Sequence, residues 1–283
     1  MLQVVIDFHT HAVSPRIKER RTEYVGRDAC FSLLYSHPKA KLATAEDIIV
    51  SMDECEIDKS VILNLGWVSH ELCTETNDYI LEAVARYPQR LIGFCSIQPL
   101  NVDKAVEEIW RCASSGARGI GEMRPDVQGF ALGDNTVMKP VVEAVVENGL
   151  ILLTHASESV GHLYSGKGTI TPEVIYPFIL DFPELKLVCA HWGGGLPFYA
   201  LMPEVASALA NVFFDTAATP FLYRPQIFKL MAEIIGSDKV LFGSDYPLLS
   251  PKRIIDQLAS ICLEREDKAR ILGANAQSLL SIP

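Results

Sequence analysis

Residues 4–11 read Val4-Val-Ile-Asp-Phe-His-Thr-His11, an apolar run that ends in two histidines. Uninterrupted apolar runs are typical of strands buried on both faces of a parallel sheet, and this one predicts a first strand over Gln3–Phe8. Side chains two residues apart on a strand project to the same face, so His9 and His11 can point at one ion. On its own, the pair does not distinguish a metal site from two incidental polar residues.

Seven further segments of this kind alternate with stretches of helical periodicity, which indicates βαβ units around a parallel sheet. The predicted strands after the first are Lys59–Asn64, Leu91–Ile97, Arg118–Glu122, Leu150–Thr154, Lys186–Ala190, Val212–Asp215 and Lys239–Gly243. Eight such units take about 250 residues as one domain, and the chain has 283. We therefore predict one α/β domain over residues 1–283, a (β/α)8 TIM barrel with a long first βα loop and extra helices over Glu266–Leu280.

Two connections are longer than the usual few residues, and long loops of compact domains tend to be functional. They are the first βα loop, Ala12–Ala43, and the connection after strand five, Ala156–Ile170. Both are candidate lids. Helix starts are indicated by Thr44 and by two pairs that place a capping hydroxyl before proline, Thr171-Pro172 and Ser250-Pro251.

Polar side chains follow four later strands in the position that the histidine pair takes on the first. Glu122 ends strand four, His155 follows strand five, His191 follows strand six and Asp245 follows strand eight. Active sites of this barrel lie where the carboxyl ends of its strands meet. Four histidines and two carboxylates there suit zinc, with manganese, iron or cobalt as substitutes. We therefore predict a divalent metal site built from His9, His11, Glu122, His155, His191 and Asp245.

Five short motifs carry a resemblance to a known family: Asp7-Phe-His-Thr-His11, Met52-Asp-Glu-Cys-Glu-Ile-Asp58, Thr154-His155, Ala190-His191-Trp-Gly-Gly194 and Gly243-Ser-Asp-Tyr-Pro247. Over nearly its whole length the chain resembles the amidohydrolase superfamily. The resemblance is specifically to the amidohydrolase-2 group, which includes aminocarboxymuconate-semialdehyde decarboxylase and related metal-dependent hydrolases. It implies a metal on His9, His11 and His155. It also implies Asp245 as a further ligand or proton carrier, and His191 beside the metal-bound water.

Glu122 adds a second resemblance. Gly119-Ile-Gly-Glu122 looks like the strand-four carboxylate of TatD-like deoxyribonucleases and related two-metal members, in which the Glu bridges two ions. Many amidohydrolase-2 decarboxylases instead bind one metal. The expectation is therefore one or two ions.

The expected function is hydrolysis, because a bound divalent ion lowers the pKa of its water to about 7. The predicted substrate is a small amide, lactone or ester that carries a carboxylate. In this hypothesis Asp245 transfers the proton, and His191 orients the water or stabilises developing charge. The alternative is metal-dependent, non-oxidative decarboxylation of an unsaturated or aromatic acid. A catalytically silent binding barrel and a TatD-like nuclease are further alternatives.

The charge distribution bears on the substrate. The chain has 25 Lys and Arg against 35 Asp and Glu, a net charge of −10, which disfavours nucleic acid as a partner. Residues 12–41 carry a net charge of +4, which leaves −14 for the rest. A basic lid favours an acidic small molecule, with Arg27 and Arg124 as candidate substrate contacts, unless the segment is a solvated loop or a subunit contact. Trp192 and Tyr246 can line an apolar pocket beside the metal.

The remaining expectations concern location and assembly. The longest apolar stretches fall far short of the roughly 20 residues that cross a bilayer, so we expect no membrane association. The N-terminus has no signal-peptide pattern, and the seven cysteines include no C-x-x-C pair. Both features are typical of a reducing cytoplasm. A homodimer is expected from the family resemblance alone.

Overall fold

The structure, a computed structural model that describes residues 4–282, contains eight parallel strands, each hydrogen-bonded to the next in chain order. The strands are β1 (Ile6–His11), β2 (Lys59–Leu63), β3 (Leu91–Cys95), β4 (Gly119–Met123), β5 (Ile151–Thr154), β6 (Leu187–Cys189), β7 (Val212–Asp215) and β8 (Val240–Leu241). Backbone hydrogen bonds join the two ends of the sheet, since Phe8 N–H donates to the Phe242 carbonyl at 2.7 Å and Asp245 N–H donates to the His9 carbonyl at 2.9 Å. The sheet is therefore the predicted (β/α)8 TIM barrel.

All eight predicted strands are present, and the first differs most from its prediction. β1 continues through His11 because Thr10 and His11 still pair with Ile62 and Leu63 of β2. The predicted range Gln3–Phe8 thus ends too early, and Gln3 lies outside the described residues. The two histidines belong to the strand itself.

Helices surround the barrel and also occupy several of its connections. They are α1 (Pro15–Glu19), α2 (Arg21–Arg27), α3 (Ala29–Tyr35), α4 (Ala45–Glu54), α5 (His70–Arg86), α6 (Val102–Ser114), α7 (Pro125–Gln128), α8 (Asn135–Glu147), α9 (Pro172–Asp181), α10 (Ala190–Gly193), α11 (Pro203–Ala208), α12 (Thr219–Leu222), α13 (Ile227–Ile234), α14 (Pro251–Ser260), α15 (Arg265–Ala269) and α16 (Asn275–Leu280). Three 3-10 turns lie at Leu196–Leu201, Leu209–Asn211 and Ser237–Lys239, and a π turn at Arg270–Ala274 joins the two terminal helices. Those two helices and the π turn between them cover the predicted range Glu266–Leu280.

The first βα connection is a small helical unit rather than the predicted loop. It folds into α1, α2 and α3, which bury Ile17, Tyr24 and Phe31 against Trp67 from the connection after β2. The Phe31 and Trp67 rings stack with centroids 5.5 Å apart. This separate apolar cluster explains why so long a connection is ordered.

The predicted helix starts are confirmed in part. Thr44 and Asp47 form a capping box at α4, in which each side chain accepts the other residue's N–H. Proline opens α9 and α14 as predicted, but neither Thr171 nor Ser250 caps its helix through its side chain. The Thr171 hydroxyl donates instead to the Glu173 carboxylate at 2.6 Å.

Apolar side chains fill the barrel interior. Phe8, Phe94 and Leu153 are fully buried there, and the rings of Phe8 and Phe94 meet edge to face at 5.7 Å. A filled interior confines polar groups to the ends of this barrel. The carboxyl ends of the strands carry them here.

Candidate metal centre and active-site cavity

Irregular pairing in two strands directs the predicted ligands toward the barrel axis. Between Asp7 and Thr10 β1 has one residue more than the facing part of β2, and β4 has one more than β5 between Ile120 and Met123. Extra residues of this kind re-aim side chains and are common beside active sites. Strict alternation would place Phe8 and His9 on opposite faces of the sheet. The bulge lets His9 turn inward although Phe8 already fills the interior.

The first group of candidate ligands comes from β1, from β4 and from the connection after β8. His9 Nε2 and His11 Nε2 are 3.1 Å apart. Glu122 Oε2 lies 3.5 Å from His11 Nε2 and 3.9 Å from His9 Nε2. Asp245 Oδ1 lies at the same two distances from the two imidazoles. These four side chains therefore converge on one point.

A second group overlaps the first through Glu122. Its other oxygen, Oε1, lies 2.8 Å from His155 Nδ1 and 3.5 Å from His191 Nε2. His9, His11 and Glu122 form one triad of donor atoms within 4.8 Å of one another, and Glu122, His155 and His191 form another. All six predicted ligands are thus brought together, and their side chains are at most 14% exposed.

A divalent ion requires ionised carboxylate and neutral imidazole ligands, and the surroundings of Glu122, His155 and His11 favour these states, whereas the pKa values of His9 and His191 are raised. Burial would raise the pKa of Glu122, but the neighbouring histidines hold it well below its ordinary value. Burial and the charge of Arg124 lower the pKa of His155 to about 4. Burial and the neighbouring His9 also lower the pKa of His11, whose Nδ1 is buried without a partner among the described residues. The nitrogen and oxygen donors therefore fit a divalent metal ion.

Asp215 completes the cluster, although it is not among the sequence-predicted site residues. Its Oδ2 accepts from His9 Nδ1 at 2.7 Å, and its Oδ1 accepts from the backbone N–H groups of His191 and Ala217 at 2.9 and 3.0 Å. Burial would lower the pKa of His9, but the charge and hydrogen bond of Asp215, together with the charges of Glu122 and Asp245, raise it to about 10. Asp215 is the last residue of β7, and the candidate ligands also lie at or near the ends of their strands. This position in the sequence could have identified Asp215 as a site residue.

A cavity of about 430 Å³ opens on the cluster, within the usual range for small-molecule sites. His11, Glu122, His155, His191 and Asp245 lie on its wall. Apolar side chains, among them Leu34, Phe221, Leu222 and Leu248, form much of the rest. The arrangement offers a polar floor beneath an apolar chamber.

Of the four predicted substrate contacts, the structure brings Arg124 to the cavity wall. Arg27 does not reach it, because its guanidinium lies over the Tyr24 ring and pairs with Glu23 on the outer face of α2. Its charge is satisfied there.

The two predicted aromatic contacts also lie off the cavity wall. Trp192 is fully buried against Phe228, and its indole N–H donates to Thr219 at 2.8 Å. Tyr246 directs its hydroxyl toward the Asp47 carbonyl, 3.4 Å away. Both side chains therefore pack between βα connections.

The cavity wall also includes residues outside the sequence-predicted set that bear hydroxyl, amine or imidazole groups, among them Tyr35, Lys41, His162 and Tyr164. They come from the two candidate lids, and the unusual length of those connections was the sequence feature that could have pointed to them. The second lid is tied to the cluster through Ser157. The Ser157 hydroxyl accepts from Gly168 N–H at 2.9 Å and lies 3.1 Å from His155 Nε2.

In residues 4–282, none of the helices combines the length and the apolar character needed to cross a lipid bilayer.

Comparisons with known proteins bear on the reaction. The chain is 24% identical over 244 residues to the 2-amino-3-carboxymuconate-6-semialdehyde decarboxylase of Dictyostelium discoideum, with 75% of this chain and 67% of that protein covered. It is 20% identical over 258 residues to the gamma-resorcylate decarboxylase of a Polaromonas species, with 76% and 77% covered. The predicted hydrolase activity is wrong, because these relatives are decarboxylases. A set of histidines and carboxylates at the mouth of this barrel does not by itself distinguish hydrolysis from decarboxylation, because the fold hosts many reactions.

The fold is shared with a solved enzyme structure. The 5-carboxyvanillate decarboxylase of Novosphingobium aromaticivorans, solved with manganese and 4-hydroxy-3-methoxy-5-nitrobenzoic acid, superposes with a TM-score of 0.82 at 19% identity. The alignment covers 99% of this chain and 97% of that one. The likeness extends over the whole barrel.

The family model described as amidohydrolase matches residues 6–282. The match confirms the resemblance carried by the five motifs, whereas the TatD-like role of Glu122 stays a prediction. The chain belongs to the amidohydrolase family, in the group designated amidohydrolase-2.

Proposed function

We propose that this chain is a metal-dependent, non-oxidative decarboxylase of an aromatic or unsaturated acid. The observation that carries the proposal is the cavity of about 430 Å³, which has room for a single-ring acid and opens directly on the cluster of histidines and carboxylates. The decarboxylase names of the relatives support the same reaction.

The metal would be held by His9, His11 and Glu122, whose donor atoms on β1 and β4 lie within 4.8 Å of one another. Asp245, His155 and His191 would complete the coordination of one ion or would hold a second. Zinc and manganese both suit these donors, and the manganese in the Novosphingobium enzyme makes manganese the first ion to test. When bound, a divalent ion polarises the substrate oxygens that contact it.

Decarboxylation breaks the bond between the carboxyl carbon and the substrate carbon, and it leaves the electron pair on the latter, which must then take up a proton. Asp245 lines the cavity with a 14% exposed side chain. We assign it the role of proton donor, recharged from solvent after product leaves. If only one ion binds and His191 does not coordinate it, we assign His191 the role of orienting the substrate carboxylate that leaves as CO₂.

The proposal is tested by loading the purified protein with Mn²⁺ and supplying a panel of hydroxylated benzoic acids and conjugated unsaturated acids. We expect metal-dependent release of CO₂ and an equal amount of the decarboxylated product. Asp245→Asn should reduce turnover by about 100-fold or more, while elemental analysis shows the metal retained. A fully loaded protein that releases no CO₂ from any acid of the panel would refute the proposal.

The predicted homodimer and the predicted cytoplasmic location stay predictions. Light scattering on the purified protein tests the first.

A further inference from the structure

Arg124 is the buried cation of the cavity, and a neighbouring carboxylate balances its charge. Its Nε and Nη2 donate to the two carboxylate oxygens of Asp126 at 3.3 and 3.2 Å. The Arg124 side chain is 2% exposed and that of Asp126 is 10% exposed, so water screens the pair little. Burial would raise the pKa of Asp126, but the guanidinium holds it below its ordinary value, and the carboxylate is ionised.

The pair is also enclosed from the side of the second lid. Gly168 packs against it so closely that a Cβ there would collide with Asp126 Oδ2. Asp126 occupies the Nε and Nη2 edge of the guanidinium, so the Nη1 edge is left for a ligand. Arg124 therefore offers the cavity hydrogen-bond donors with little net positive charge.

The basic residues of the first connection do not add a second buried cation. Arg21 donates to the backbone carbonyls of Pro38 and Ala40. Of the seven basic residues of that connection, all within the described range, Lys41 alone lines the cavity, and it is exposed to solvent, where its attraction for an anion is weak. The others that form ion pairs do so outside the cavity: Arg16 with Glu75, Lys18 with Asp47, and Arg20 and Arg27 with Glu23.

These charges limit what a bound acid can carry. The proposed metal centre accounts for one carboxylate. A second carboxylate on the same ring would be transferred from water into a largely apolar chamber without an uncompensated cation, which costs free energy. A hydroxyl or another neutral oxygen can accept from Arg124 without that cost.

We infer that the substrate is a ring acid with a single carboxylate and neutral polar substituents, and that Asp126 is the residue that disfavours dicarboxylic acids. The inference rests on the proposed decarboxylase function for the identity of the site. It narrows the substrate class by charge.

The test compares 3-hydroxybenzoate with benzene-1,3-dicarboxylate, which differ only by a hydroxyl and a second carboxylate. Calorimetric titration of the Mn²⁺-loaded protein gives both dissociation constants. We expect the wild type to bind the monocarboxylate at least about tenfold more tightly, and Asp126→Asn to shift that ratio by about tenfold toward the dicarboxylate, as expected when a buried charge loses its partner. Adding Arg124→Gln to Asp126→Asn should abolish the shift, because the gain requires the unmasked guanidinium.

Asp53→Asn is the matched control. It makes the same charge change on an exposed carboxylate that pairs with Arg90 just before β3, at the opposite end of the barrel, and it should leave the ratio as in the wild type. A wild type that binds both acids equally, or an Asp126→Asn variant that keeps the wild-type ratio, would overturn the inference. If the Asp126→Asn variant does not fold, the ratio of the two dissociation constants in the wild type is the test of the inference. Binding is measured without turnover, so a failure here is separate from a failure to release CO₂.

Discussion

Asp215→Asn tests how the proposed metal-binding histidines are held. In the wild type the Asp215 carboxylate has no solvent exposure and accepts three hydrogen bonds, from His9 Nδ1 at 2.7 Å and from the His191 and Ala217 backbone N–H groups at 2.9 and 3.0 Å. Holding the proton on Nδ1 directs the lone pair of His9 Nε2 toward Glu122 and His11. Such outer contacts orient a ligand and set its tautomer.

Asparagine cannot reproduce this pattern, because it has one oxygen and one NH₂ group. If its oxygen faces His9, the NH₂ group meets two backbone N–H donors. If it is flipped, His9 must carry its proton on Nε2, the atom that faces the cation. Losses of this kind cost metal affinity about 10- to 100-fold, or about 1.4–2.7 kcal/mol at 1.36 kcal/mol per decade. Unpaired buried donors should cost the metal-free fold about 1–3 kcal/mol as well.

The assay is calorimetric titration of the metal-free protein with Mn²⁺, together with its thermal unfolding. Asp53→Asn is again the control and should change neither quantity. Equal or tighter Mn²⁺ binding by Asp215→Asn would refute this reasoning. It would show that Asp215 acts mainly by raising the pKa of His9 to about 10, so that protons compete with the metal.

Three further predictions concern stability and the second lid. Burial would raise the pKa of Glu108, but hydrogen bonds from Arg111 hold it below its ordinary value. This carboxylate therefore stabilises the fold above about pH 4.5 and loses that effect as the pH falls through its folded pKa. Glu108→Gln should lower the urea midpoint at pH 7, and the difference in midpoint from wild type should be smaller below pH 4; an equal difference at both pH values would contradict this. Gly168→Ala should force apart the Asp126 carboxylate and the second lid, with a loss of about 1–3 kcal/mol in unfolding free energy and a higher KM. Wild-type values for both quantities would show that the second lid moves to accommodate the methyl group at no cost. Thr44→Ala should cost about 1 kcal/mol by removing the cap of α4, and Thr44→Ser should restore most of it; equal midpoints for all three proteins would count against the capping role.

The fold and the clustering of the six candidate ligands could be predicted because both depend on short-range patterns. Each strand has its own apolar run, and each ligand lies within a few residues of a strand end, as His155 does after β5. Once parallel strands close in chain order, their carboxyl ends meet, so residues far apart in the chain come together without further information.

Charge balance and side-chain direction could not be predicted in the same way. Arg27 and Arg124 are both arginines near the mouth in sequence, yet one pairs with Glu23 on the outer face and the other is buried against Asp126. The bulge in β1 reverses the facing that alternation predicts for His9. Each outcome depends on distances to atoms that the local pattern does not specify.

By itself, the sequence determined the barrel, the six candidate ligands and the family, since periodicity and position at strand ends are local properties of the chain. Only the tertiary structure decided that Asp215 holds His9 and that Asp126 neutralises Arg124. It also decided that the basic first connection is a helical unit whose basic residues mostly form ion pairs and hydrogen bonds outside the cavity. The physical reason is that electrostatic energy depends on separation and burial, and these exist only after the strands have closed.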